Sequence, residues 1–209
     1  MSDFSVLQHP YVYLLFISLH LLFGQFGSSM LYRLRYGKSP LICYQTKQPN
    51  RHQQMSQWLA LPVIVWFALM TLFLTSASFR SLPMNQPIIN MSPLWGLTLA
   101  AICLLGMLYC QFAMGRAFRI GQESETSQQQ STLVEHGIFR YSRNPVYVFS
   151  TLFLWVVSSW ACTIPVLLSL LLISILIHQL VLIEEQFLHK RFGMSYLHYQ
   201  KRVPRYVYF

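Results

Sequence analysis

Six acidic side chains occur in the 209 residues, and two of them, Glu184 and Glu185, are neighbours at the end of a long apolar run. A carboxylate at membrane depth costs about 2.5–3.5 kcal/mol at the bilayer centre and less near its edge, and the C-terminus of a helix repels it as well. A pair placed there suits a cation held where water is scarce. The ordinary alternative is an interfacial pair neutralised by Lys190 or Arg191. A second group of chemically capable residues is His136-Gly137-Ile138-Phe139-Arg140-Tyr141-Ser142-Arg143-Asn144-Pro145-Val146-Tyr147, which runs into another apolar stretch. Pro145 can open a helix where its missing N–H needs no partner, and Asn144 can cap it. Arg140 and Arg143 beside that helix start suit a carboxylate or phosphate, so one ligand carrying both an anionic and a cationic group would bridge an arginine and the glutamates. For the arginines alone, snorkelling to lipid head groups is the ordinary alternative.

The elements that must position these residues are membrane helices. Five stretches qualify: 11–30, 58–79, 93–114, 146–160 and 164–183. At about 1.5 Å per residue the four longer ones cover a hydrocarbon core of ~30 Å, and 146–160 does not. Only Ala161, Cys162 and Thr163 separate it from the last stretch, so the final two form a tight helical hairpin. Positive charge alternates between the connections: fourteen Lys and Arg fall on one side and only Arg80 on the other. The positive-inside rule then places the N-terminus outside and the C-terminus in the cytoplasm. After 183, Leu188, Phe192, Tyr196 and Tyr199 follow a helical stripe, with Lys190, His198 and Lys201 opposite, as in a helix lying at the interface and broken near Gly193. The expected fold is therefore an all-α, multi-pass membrane protein of about five spans. A three-helix region (1–114) is integrated with a loop, hairpin and cytoplasmic tail (115–209), and the polar run 123–132 is a connector.

Bulk composition agrees. The chain is 54% hydrophobic and 10% charged, with a mean hydropathy of +0.41. These values exclude an ordinary soluble domain or a disordered chain. A net charge of +9 could suggest nucleic acid, but the basic residues fall in short connections between apolar runs, so the bilayer is the partner and no nucleic acid is expected. Cys43, Cys103, Cys110 and Cys162 lack metal-ligand spacing and read as packing residues. No metal is expected either, since Glu185 and His189 lack further ligands; His178 reads as a bundle residue or an acceptor contact. The first apolar run lacks a basic n-region and a cleavage site, and reads as a retained span.

The ordered set Leu133-Val134-x-x-Gly137-x-Phe139, Arg143-Asn144-Pro145-Val146-Tyr147, Glu184-Glu185 and Phe192-Gly193-x-x-Tyr196-x-x-Tyr199-x-x-x-Val203-Pro204 resembles one family, over about residues 115–206. That family is the integral-membrane methyltransferases that include isoprenylcysteine carboxyl methyltransferase and the phospholipid N-methyltransferases. The resemblance implies an S-adenosylmethionine-dependent enzyme acting on a hydrophobic or lipid-like acceptor. It implies that Leu133, Val134 and Phe139 line the cofactor, that Asn144, Pro145 and Tyr147 border it, and that Glu184 and Glu185 hold its charged methionyl end. The chain departs from the family at Asn144, where many relatives have histidine. It departs again at Leu180, where the prenylcysteine enzymes carry an arginine; Gln179 beside it is neutral. The first difference argues against a catalytic base at Asn144, and the second against a prenylcysteine carboxyl acceptor, although Arg140 could reach from the loop.

Two other classes compete. An NADPH-dependent, sterol-reductase-like membrane oxidoreductase would share the C-terminal architecture, but its dinucleotide calls for more basic contacts and a longer tail. A membrane scaffold or transporter would need no cofactor, and the inverted repeats of many transporters are not visible. Bacterial inner membrane is the expected location.

Overall fold

A computed structural model describes residues 51–88, 92–115 and 133–207, with positions 12, 15, 17–19, 22 and 33–34 of the N-terminal part. The expected span 11–30 lies largely outside the described residues, and the connector 123–132 wholly so. Every regular element among the described residues is helical. Three helices are long and apolar enough to cross a membrane, and a shorter apolar helical stretch covers Pro145–Ala161.

The first long helix, α1, spans Arg51–Thr75 and contains Pro62. It begins seven residues before the expected start, because the polar turn ahead of Trp58 is helical too. It ends at Thr75 rather than 79, and the reason is local. Ser76 accepts a hydrogen bond from the Phe79 amide (3.2 Å) and opens a separate short helix, α2, at Ala77–Arg80. Arg80 then folds back and donates to the carbonyls of Phe73 (2.8 Å) and Leu74 (3.1 Å), satisfying groups that a helix end leaves without partners.

The next helix, α3 (Pro93–Met114), has Pro93 in its first turn and stops at Gly115, whose φ of 52° suits glycine. A 3₁₀ turn at Gly137–Arg140 precedes α4 (Pro145–Ser158), and a second 3₁₀ turn, Ser159–Ala161, closes the tight connection to the next helix. With 14 residues α4 is about 21 Å long, short of the hydrocarbon core, as its sequence length implies.

The hairpin's second arm, α5, spans Ile164–Phe192, which is 29 residues and about 43 Å. This corrects one premise of the sequence reading. Glu184 and Glu185 do not terminate a helix; they lie two turns inside it, about 30 Å along its axis. The helix end instead carries His189, Lys190 and Arg191, whose charges complement the C-terminal dipole. Gly193, at φ 53°, breaks the chain into α6 (Met194–Arg202). The apolar face of α6 is covered by protein: Tyr196, Tyr199 and Val203 are buried against Leu133, Leu188 and Phe192.

α1 packs along α5 and α3 along α4, with α4 also against α5. One core joins them, including Trp66 and Met70 of α1, Ala100 of α3, Phe153 and Val157 of α4 and Leu170 and Ile173 of α5. The indole N–H of Trp66 donates to Ser158 Oγ at 2.8 Å, a buried polar link between α1 and α4. Small residues set the α3–α4 approach. A Cβ added at Gly106 would lie 2.5 Å from the Phe149 ring, and one at Gly96 would lie 2.1 Å from the Trp160 indole nitrogen. Overpacking of this kind costs about 1–3 kcal/mol. Gly106→Leu is accordingly expected to lower the heat-unfolding midpoint in detergent, and an unchanged midpoint would contradict this packing.

Candidate functional site

The site is assembled by α5, the turn before α4 and the segment after α6. Glu185, 4% exposed, is its hub. Arg143 donates from Nε to Oε1 (3.1 Å) and from Nη2 to Oε2 (3.3 Å). Asn144 Nδ2 donates to Oε1 (3.0 Å), and Arg205 donates to Oε2 from Nε (3.1 Å) and Nη2 (3.0 Å). A buried carboxylate is tolerable when cations and hydrogen bonds replace its water, and here two guanidiniums and an amide do so. The third nitrogen of Arg143, Nη1, donates to the carbonyls of Gln200 and Val203, both at 3.1 Å.

Backbone bonds bring the same segments together. The Arg143 amide donates to the Pro204 carbonyl (3.0 Å), and Ser142 Oγ (3.3 Å) and Asn144 Nδ2 (3.1 Å) donate to that of Arg205. Residues 203–206 thus form a strap across the hub, and the Tyr206 hydroxyl sits 2.7 Å from His178 Nδ1. On the far side, Tyr199 donates its hydroxyl to the Phe139 carbonyl (2.7 Å), and Arg202 pairs with Glu135. Burial pushes the Tyr196 and Tyr199 phenols above their ordinary range, so both remain neutral at physiological pH. The hydrogen bonds from Arg205 to Glu185 raise the guanidinium's pKa further.

Glu184 is placed differently. It is half-buried, and its Oε2 accepts the Tyr147 hydroxyl at 2.7 Å. Among the described residues no Lys or Arg pairs with it. Adjacent glutamates therefore differ in kind: one carboxylate is saturated by the protein's own cations, and the other has a phenol for company.

The expected site residues meet here to different degrees. Arg143, Asn144, Tyr147, Glu184 and Glu185 come together directly. Pro145 is buried at the start of α4, and Phe139 is buried in the 3₁₀ turn before it. Leu133 packs on the tyrosines of α6, Val134 is half-buried, and Arg140 is exposed on the 3₁₀ turn, outside the cluster. Two details differ from expectation. Asn144 occupies the N-cap position of α4, yet its side chain does not cap; the amide is instead oriented by its Nδ2, which donates to Glu185 and to the Arg205 carbonyl. Arg143, expected to meet an anion from outside the chain, directs its guanidinium at protein partners. Arg205 was missed. A signal for it existed, since a carboxylate in an apolar helix needs strong compensation, but nothing in the sequence joins Arg205 to a residue 20 positions away.

Residues 91–195 match the phospholipid methyltransferase family, a stretch covering α3, the turn carrying Arg143, and all of α4 and α5. The chain belongs to that family. Membership in a family of methyltransferases supports a membrane methyltransferase, and it places the α4–α5 site within the matched residues, whereas Arg205 and the strap lie beyond them. A comparison with curated proteins finds no match.

Proposed function

We propose that the protein transfers a methyl group from S-adenosylmethionine to a hydrophobic or lipid-like acceptor, with its site at the cytoplasmic face of the membrane and its N-terminus outside. The observation that carries this reading is Glu184, a half-buried carboxylate with no basic partner among the described residues, oriented by Tyr147 beside a locked and neutralised Glu185. A cofactor with an ammonium and a sulfonium fits such a carboxylate, because cations near a bilayer require a fixed counter-charge. The bound cofactor supplies an activated methyl group.

The chain's own residues do the positioning. Glu184 receives the cationic methionyl end, and Arg140, exposed on the neighbouring turn, is available to the carboxylate. Leu133, Val134 and Phe139 supply apolar lining, and Pro145 sets the start of α4. Arg143, Asn144 and Glu185 hold the turn, α5 and the strap in register. Methyl transfer is an in-line displacement that depends mainly on such alignment. At the position where prenylcysteine enzymes carry arginine, Leu180 is buried in the bundle at 6% exposure, which favours an acceptor without a carboxylate there.

The test is incubation of membranes holding the protein, in a host such as a bacterial inner membrane, with S-adenosylmethionine labelled on its methyl group. Label entering the organic-extractable fraction, and absent from vector-only membranes, is the expected result. No excess label in lipids or in small hydrophobic thiols would overturn the reading.

A further inference from the structure

α5 carries a second polar stripe. Gln179, Leu182 and Gln186 face α1, where they line an open cleft of about 370 Å³ with Arg51, Gln54 and Trp58. At about 100° per residue these three positions lie about 140–160° round the helix from Glu184, so the cleft is separate from the Glu184 site. Its charge is one-sided: Arg51 is the charged residue among those lining it, and the glutamines supply neutral donors. Its polarity is also graded along the two helices. Arg51, Gln54 and Gln186 line it together, near the start of α1 and the last turns of α5. Trp58, Leu182 and Gln179 continue the cleft for about 10 Å along helices that cross the bilayer.

We propose that this cleft seats an anionic phospholipid, with its phosphate at Arg51 and Gln186 and the beginning of its chains over Trp58 and Leu182. Guanidinium forks bind phosphate oxygens well, and tryptophan settles at head-group depth; Trp58 is 69% exposed there. A soluble anion would use only the polar end. An amphiphile uses both, and it reaches the cleft laterally from the bilayer. The site stands independently of the methyl-transfer reading.

The test is native mass spectrometry of the purified full chain in mixed micelles holding equal phosphatidylglycerol and phosphatidylcholine. The wild type is expected to retain phosphatidylglycerol preferentially. Arg51→Gln and Gln186→Leu should each cut that preference, Arg51→Gln by about fivefold, the worth of one basic residue at an anionic surface. Lys201→Gln, which removes a cation from α6, should leave it intact, and millimolar glycerol 3-phosphate should not displace the lipid. Circular dichroism confirms that each variant is folded, and unchanged cofactor binding by Arg51→Gln separates this site from the methyl-transfer site. The proposal is overturned by no preference in the wild type, by retained preference in folded Arg51→Gln, by equal loss in Lys201→Gln, or by displacement with glycerol 3-phosphate.

Discussion

Replacing Glu184 by glutamine is expected to weaken binding of S-adenosylhomocysteine roughly ten- to a hundredfold while leaving the heat-unfolding midpoint where it was. The range follows from the worth of a hydrogen bond to a charged group, about 1.5–3 kcal/mol. Stability should be spared because the amide has the carboxylate's shape and still accepts the Tyr147 hydroxyl, and because no basic residue among those described loses its partner. Tyr147→Phe should have a smaller effect on affinity, since it removes the group that orients Glu184 and leaves the charge. Isothermal titration of the detergent-purified variants, with parallel melting curves, reads both quantities. Equal affinity in Glu184→Gln and wild type would assign Glu184 a structural role only.

The neighbouring residue should behave in the opposite way. Glu185→Ala leaves a largely buried Arg143 and the Asn144 amide facing an empty space, and breaking a buried pair by removing one partner costs about 3–5 kcal/mol. Loss of folded protein, or a sharply lower melting midpoint, is the expected result. Arg205→Ala should be milder, because the Arg205 side chain is 37% exposed and Glu185 keeps Arg143 and Asn144. Arg143→Met combined with Glu185→Leu should recover part of the loss, since it removes the buried charges together. Melting curves for the four chains test this. A Glu185→Ala protein as stable as wild type would show that the hub does not hold the strap and turn in place.

The difference between these two glutamates was only half legible in the sequence. Their adjacency and depth marked them as costly, but which one the protein itself neutralises depends on Arg143 and Asn144 and, from the tail, on Arg205. That residue lies beyond Pro204 and outside any apolar period, and folding alone brings it to Glu185. The α3 helix could be read to its ends because Pro93 and Gly115 punctuate an apolar run. The hairpin was equally legible from the two prolines that open its arms.

The stripe through Leu188 and Phe192 and the break at Gly193 were legible, but the continuity of that helix with the span before it was not. The apolar signal stops at Ile183, whereas the backbone remains helical because the last turns pack on α6 and the strap rather than on lipid. Asn144 shows the same limit at one residue. Its type and place before Pro145 predict a cap, and a distant carboxylate claims its amide instead. Local pattern locates elements bounded by proline and glycine, and it is blind to long-range charge pairs.

One titration bears most directly on the account: purified wild-type protein against S-adenosylhomocysteine and, separately, against NADPH. Saturable binding of S-adenosylhomocysteine without binding of NADPH is the predicted result. Binding of NADPH alone would contradict it and turn the site toward oxidoreductase chemistry.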